Sequence, residues 1–262
     1  MAVLLLKLAG PLQSWGFSRF IERKTRHEPT KSGVIGLLAA ALGRRREDSA
    51  SDLVALRFGV RIDQPGRYEM DYQTERKMKT ESGAQTWNAT KMKWEYDSSK
   101  DGLLSPTHRY YLADAVFVVA LEGDGELVRT CAEALEHPAF PLYLGRRSCP
   151  PSGRILLGIE RDMTLLEALR STPWQSTDYY RHQWRIRTEE EVKLEILYDK
   201  GPGDQGEGYD VSQQDVPISF SQADRQYTWR TVAHATTTVK NPSYTPQPAE
   251  HDPLAAIDGV VS

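Results

Sequence analysis

The residues of this chain whose types and spacing could do chemistry are mostly cations and aromatics. A glycine-punctuated run, Leu8-Ala9-Gly10-Pro11-Leu12-Gln13-Ser14-Trp15-Gly16, follows an apolar stretch. Beyond a basic connector, Pro29-Thr30-Lys31-Ser32-Gly33 opens an apolar helix. A strand, a glycine-rich turn and a helix N-terminus together make a place to hold phosphates, because backbone N–H groups point out of such a helix end. Residues 1–46 carry nine Lys and Arg against two acids, a net of +7, whereas the whole chain is −3. Trp15 has two readings. It is a stacking platform, since every base offers a π-face, or a plug for the end of the core. Gln13 and Ser14 share its loop, and Lys31 and Ser32 stand at the helix head.

Two further basic stretches fit the same chemistry. Tyr68 to Tyr110 is long, polar and poor in aliphatics, with Arg76-Lys77-Met78-Lys79, Gln85-Thr86-Trp87-Asn88 and Lys91-Met92-Lys93-Trp94 within it. Aromatics interleaved with bases suggest a projecting arm that grips nucleic acid, and a flexible surface insertion is the alternative. Arg109, beside Tyr110, sits where the arm rejoins the core, placed to clamp a phosphate or a base edge. Leu144-Gly145-Arg146-Arg147-Ser148-Cys149-Pro150-Pro151 puts two arginines after a glycine and before prolines. That pattern suggests a rigid, phosphate-facing loop.

Other chemistries fit less well. Pro-Thr-Lys-Ser-Gly is not a nucleotide P-loop, because no glycine lies five residues before Lys31. Cys131 and Cys149 are too few for a disulfide framework or a four-cysteine zinc site, and they suit a reducing cytoplasm. Asp204, Glu207, Asp210 and Asp215 lack calcium-loop spacing. His108 is the one histidine worth testing as a general acid–base. With Lys91, Lys93 or Tyr110 stabilising charge it would make a metal-independent endoribonuclease. A lone histidine more often serves only as a polar contact. A protein-binding module whose basic loops meet acidic partners is a third class.

The elements that must position these residues follow from patterning. Apolar residues are 39% and charged residues 26% of the 262, with a mean hydropathy of −0.54, which suits a chain with one large core or two small ones. Val3–Leu6 and Ala115–Leu121 are too short to cross a membrane. Val3 to Leu8 reads as a buried strand. A helix follows with Thr30 or Ser32 as N-cap and Gly43 at its end, where Arg44 to Arg46 suit the helix dipole. Asp52 to Arg57 is a short helical piece and Phe58 to Ile62 a second strand. Ala113 to Leu121 is a third strand, Gly125 to Glu136 an amphipathic helix and Ile155 to Ile159 a fourth strand. This β-α-β-β-α-β order, with the arm between strands two and three, is that of an α+β, ferredoxin-like unit. Leu165 to Leu169 reads as a short helix and Gln183 to Tyr198 as one or two strands, with Trp184-Arg185-Ile186-Arg187 alternating. Pro217 to Val232 reads as a closing hairpin, and Asn241 to Ser262, with four prolines, as a mobile tail.

Leu8 to Gly16, Pro29 to Gly43 and Pro141-Leu142-Tyr143-Leu144-Gly145-Arg146-Arg147-Ser148-Cys149-Pro150 together resemble the Cas-five family of CRISPR-associated proteins in type I-E Cascade assemblies. With gaps, the resemblance runs from Val3 to about Val232 and leaves Asn241 to Ser262 outside. It implies a ferredoxin-like, RRM/RAMP-type domain over 1–160 with a β-hairpin thumb at about 68–110, then a smaller β-rich region over 161–240 and the tail. It implies a cytoplasmic, non-catalytic subunit without cofactor or metal. That subunit binds the 5′ handle of the CRISPR RNA, caps a backbone of CasC subunits, contacts the large CasA subunit and meets target DNA through the assembled complex. On this reading the RNA contacts are Gln13, Ser14, Trp15, Lys31, Ser32, Arg146 and Arg147 on matching motifs, with Arg109 the thumb residue on a clear motif and Tyr110 beside it. Arg76, Lys77 and Lys79 join them on composition alone.

Overall fold

The computed structural model describes residues 1–16, 22–76, 85–96, 104–201, 204, 206–221 and 223–246. In chain order the elements begin with β1 (Ala2–Ala9), β2 (Leu12–Gln13), β3 (Glu22–Arg23), α1 (Lys31–Ala41), α2 (Ser51–Val54) and β4 (Arg57–Gln64). Next come β5 (Arg67–Arg76), β6 (Gln85–Asn88), β7 (Lys93–Tyr96), β8 (Leu104–Ala113), β9 (Val116–Gly123), α3 (Gly125–Glu136) and β10 (Leu156–Arg161). The last are α4 (Leu165–Ser171), α5 (Asp178–Arg181), α6 (Trp184–Arg187), β11 (Glu191–Asp199), β12 (Val211–Ser219) and β13 (Gln226–Lys240).

Seven strands form one antiparallel sheet in the order β10-β1-β9-β4-β11-β13-β12. β1 is apolar nearly throughout because both its faces are covered. Leu4, Leu6 and Leu8 join α1 and α3 in the larger core, with Ile35, Leu38, Val128 and Cys131. Val3 and Leu5 point the other way, into a second cluster with Leu165 and Leu169 of α4 and Ile196 and Tyr198 of β11. Gly59 of β4 lets α4 lie close, since a Cβ there would stand 2.6 Å from Leu165 Cδ2. Thr30 caps α1 by accepting from the Gly33 N–H, and Gly43 follows the helix at a φ of +75°.

Strands on both sides of residue 160 share this sheet, and residues from both share the second core cluster. The expected strand at Trp184–Arg187 is instead the helical turn α6. Its Ile186 carbonyl accepts from Asn241 Nδ2 at 2.9 Å, and Ile186 packs on the small cluster of Trp174, Leu194 and Val239. Tertiary contacts override the local alternation there.

A second sheet carries the arm. β8 pairs antiparallel with β5 over ten residues, from Arg67 opposite Ala113 to Arg76 opposite Leu104. It also pairs with β2 antiparallel and β3 in parallel, while β6 and β7 pair with each other. The arm base is therefore joined by hydrogen bonds to the glycine-rich loop.

Candidate nucleic-acid interface

The loop after β1 and the Leu144–Pro150 loop lie far apart in sequence and touch in space. The Ser14 N–H donates to the Leu144 carbonyl at 3.1 Å, and the Ser152 N–H to the Ala9 carbonyl at 2.7 Å. Gly145 has a φ of +85°, and a Cβ there would stand 1.7 Å from the Ser14 carbonyl oxygen. No other residue type permits that approach without backbone movement. The Leu144 N–H donates to the Cys149 carbonyl and the Cys149 N–H to the Arg146 carbonyl, which closes the second loop into a tight turn.

This contact is held by residues expected to touch RNA. Trp15 is 0% exposed. Its ring packs on Gly33, where a Cβ would stand 2.9 Å away, and its Nε1–H donates to Gln13 Oε1 at 3.1 Å. Gln13 spends its amide on the Leu8 and Ala115 carbonyls at 3.2 and 2.7 Å. Ser14 is buried, with its hydroxyl donating to the Tyr110 carbonyl at 3.3 Å. Of the two readings of Trp15, the structure takes the core plug, because the loop folds back onto α1 and carries the indole inside.

The expected phosphate cradle at the head of α1 is already occupied. Asp215 of β12 accepts from the Lys31 N–H at 2.8 Å, and Thr30 Oγ1 accepts from the Gly33 N–H at 3.2 Å. The Lys31 ammonium is buried and donates to Asp199 at 2.9 Å. Its charge is neutralised inside the protein and not presented to a ligand. Ser32 is half-buried and reaches the groove described below.

The arginines divide. Arg146 staples the two sheets' loops, donating to the Tyr110 and Arg23 carbonyls at 3.3 and 2.8 Å, with its guanidinium 4.9 Å from the Tyr111 ring centre. Arg147, next in sequence, is exposed and makes no hydrogen bond or ion pair among the described residues. Arg109 is half-buried on β8 beside Arg23, and its Nε has no partner among the described residues. Tyr110 is half-buried next to it. Arg76 ends β5, while Lys77 and Lys79 lie outside the described residues. His108 meets the Tyr72 ring at 5.3 Å between centres.

A groove of about 950 Å³ gathers several of the cations. α1 forms its floor, with Ser32, Gly33 and Gly36. The Phe140–Arg147 segment makes one part of its wall, and Phe220, Arg225 and Tyr227 make another. Five arginines and one glutamate line it: Arg44, Arg45, Arg46, Arg147 and Arg225 against Glu47. Arg44 is neutralised by a two-point contact to Asp52 at 2.5 and 2.6 Å, which raises the arginine's pKa and holds the carboxyl below its usual range. The Arg45 and Arg46 side chains are exposed and unpaired among the described residues. Sequence reasoning took these two as the solvated end of α1. The signal that could have placed them was the triple-arginine run itself. The aromatic wall at Phe220 and Tyr227 had no local signal, because it is brought to the groove by pairing at the far end of the sheet.

The fold is that of CRISPR-associated proteins. One chain of a CRISPR RNA-guided surveillance complex superposes with a TM-score of 0.68 at 31% identity, covering 98% of each chain. A Cas protein crystal structure superposes at 0.60 and 33% identity, covering 94% of this chain and 100% of that one. The family model described as CRISPR-associated protein (Cas_Cas5) matches residues 3–233, and the chain belongs to that family. It is 36% identical over 163 residues to the CRISPR system Cascade subunit CasD of Escherichia coli strain K12, which is 59% of this chain and 70% of that protein.

Proposed function

We propose that this chain is a non-catalytic RNA-holding subunit of a Cascade-type surveillance complex, binding the 5′ handle of the CRISPR RNA. The observation that carries the reading is the groove, which Arg45, Arg46 and Arg147, unpaired among the described residues, line beside aromatic side chains, in a chain of net charge −3. Cations in register with aromatic faces suit a single strand, whose phosphates and bases they engage separately. Similarity to a Cascade subunit supplies the biological setting.

Within that reading, β1-α1-β4-β9-α3-β10 is a ferredoxin-like unit, since its strands lie in the order β10-β1-β9-β4 with the first and third adjacent. The β5–β8 pair is the base of the thumb, residues 161–240 extend the same sheet, and the segment after 240 is an appended tail. Arg147 and Arg109, with Tyr110, Ser32 and the arm cations Arg76, Lys77 and Lys79, are the handle contacts we retain. Gln13, Ser14, Trp15, Lys31 and Arg146 shape the site from inside. Capping of a CasC backbone, contact with CasA and access to target DNA through the complex complete the proposal. Repeat-RNA cleavage centred on His108 is the rejected alternative.

A gel with labelled repeat RNA, run without metal, tests this. Retarded, intact RNA that prefers the 5′ handle is the expected result. Cleavage lost in His108→Ala would replace the proposal with the nuclease.

A further inference from the structure

The second wall of the groove comes from the C-terminal end of the sheet, which the proposed handle contacts do not include. Phe220 and Tyr227 flank the turn between β12 and β13, with Arg225 between them, and all three line the groove. The Phe220 ring lies over Gly36 of α1, with its Cζ 3.8 Å from where a Cβ would stand. Any larger residue at Gly36 would narrow the channel at that point. Tyr143 and Arg147 line the same groove. Aromatic side chains and arginines from two separate segments therefore line one groove, the mixture that grips a single strand by base faces and phosphates.

The wall is preformed. Behind it, Asp215 of β12 accepts from the Lys31 N–H and from Arg230 Nε at 2.8 and 2.6 Å. Asp199 of β11 accepts from Lys31 Nζ and Arg230 Nη1 at 2.9 and 2.7 Å. Gln213 accepts from Arg230 Nη2 at 2.6 Å and donates to Glu28 at 2.9 Å. This network ties β11, β12 and β13 to the head of α1, and so holds the strand ends that carry Phe220 and Tyr227 against that helix. Ordering such a wall on binding costs little entropy.

We infer that the β12–β13 turn is a direct RNA-contacting clamp, with Phe220 and Tyr227 stacking on bases and Arg225 engaging phosphate. The inference rests on the groove being the RNA site, and its test separates the two. Phe220→Ala, Tyr227→Ala and Arg225→Ala are each expected to weaken repeat-RNA binding about tenfold, with unfolding temperatures near that of wild type. Trp229→Ala, on β13 and 61% exposed outside the groove, is expected to bind normally. Arg147→Ala probes the groove alone. If Arg147→Ala weakens binding while all three turn variants bind as wild type does, the groove stands and the clamp is wrong. If none of the four changes affinity, both readings fail. A variant that fails to fold leaves the wild-type measurement decisive: repeat RNA carrying 4-thiouridine should photocrosslink to the peptide holding Phe220, Arg225 or Tyr227. Crosslinks confined to other peptides overturn the clamp.

Discussion

Arg230→Met asks whether the buried charge network holds the C-terminal strands in place. Methionine keeps most of the side-chain volume, so lost charge and lost hydrogen bonds dominate. The wild-type guanidinium makes four hydrogen bonds, two to Asp215 and one each to Asp199 and Gln213. It also stands 5.1 Å from the Phe58 ring centre. Burial opposes its charge, but the contacts to Asp215 and Asp199 outweigh that and hold its pKa above the ordinary arginine value. The Arg230 and Asp215 side chains are 9% and 4% exposed, and Asp199 is 15% exposed, so solvent cannot replace the lost partner. Among the described residues, Lys31 is then the cation left against the two aspartates of this cluster. Removing one member of a buried pair costs about 3–5 kcal/mol. For a chain of this size that lowers the melting temperature by roughly 6–20 °C. Denaturant unfolding followed by tryptophan fluorescence reads the loss. A loss below about 1 kcal/mol, the level of an exposed ion pair such as Arg44–Asp52, would refute the reasoning.

Other outcomes follow from the same geometry. Trp15→Ala should destabilise by about 3–5 kcal/mol in denaturant titration, as expected of a fully buried indole; a variant of wild-type stability but poor RNA binding would restore the stacking platform. Gly145→Ala should cost more than about 1 kcal/mol, given its positive φ and the Ser14 carbonyl against it, whereas Gly153→Ala, with nothing within 4 Å of its Cβ position, should lose only what its φ of +80° imposes. Burial pushes the Cys131 thiol from 9.0 to about 11 and raises Cys149 as well, so iodoacetamide at mildly alkaline pH should label neither until the chain unfolds. Because the Cys131 thiol stays protonated in the folded state while an unfolded one ionises, stability should fall as pH rises from 9.0 toward about 11.

The fold was legible where one period ran unbroken. β1 reads as an apolar run because both its faces are buried, and α3 matches the expected Gly125–Glu136 because Asp124 caps an amphipathic stretch. Ile186 shows the limit. Its alternating neighbours suggest a strand, but a hydrogen bond from Asn241 and packing against Trp174 decide for a helical turn. The site was legible as a pair of motifs and not as a surface. Glycines at 10 and 145 mark a close approach between two loops, and that approach is real. What sequence could not show is which side chains the approach buries. Trp15 and Lys31 sit in conspicuous motifs and turn inward. Arg45 and Arg46 sit in a plain charge run and face the groove. Lys31 finds its counter-ion at Asp199, far along the chain, and no local pattern announces that pairing.

The central claim is that the groove holds single-stranded RNA by its free arginines. The most direct test is the salt dependence of repeat-RNA affinity for wild type and for the triple variant Arg45→Ala, Arg46→Ala, Arg147→Ala. Each phosphate contact contributes about 0.7 to the slope of log affinity against log salt for a single strand. The account predicts a slope shallower by about 2 in the variant, with the RNA intact and the melting temperature unchanged. An unchanged slope and affinity would place the RNA elsewhere on the molecule and contradict it.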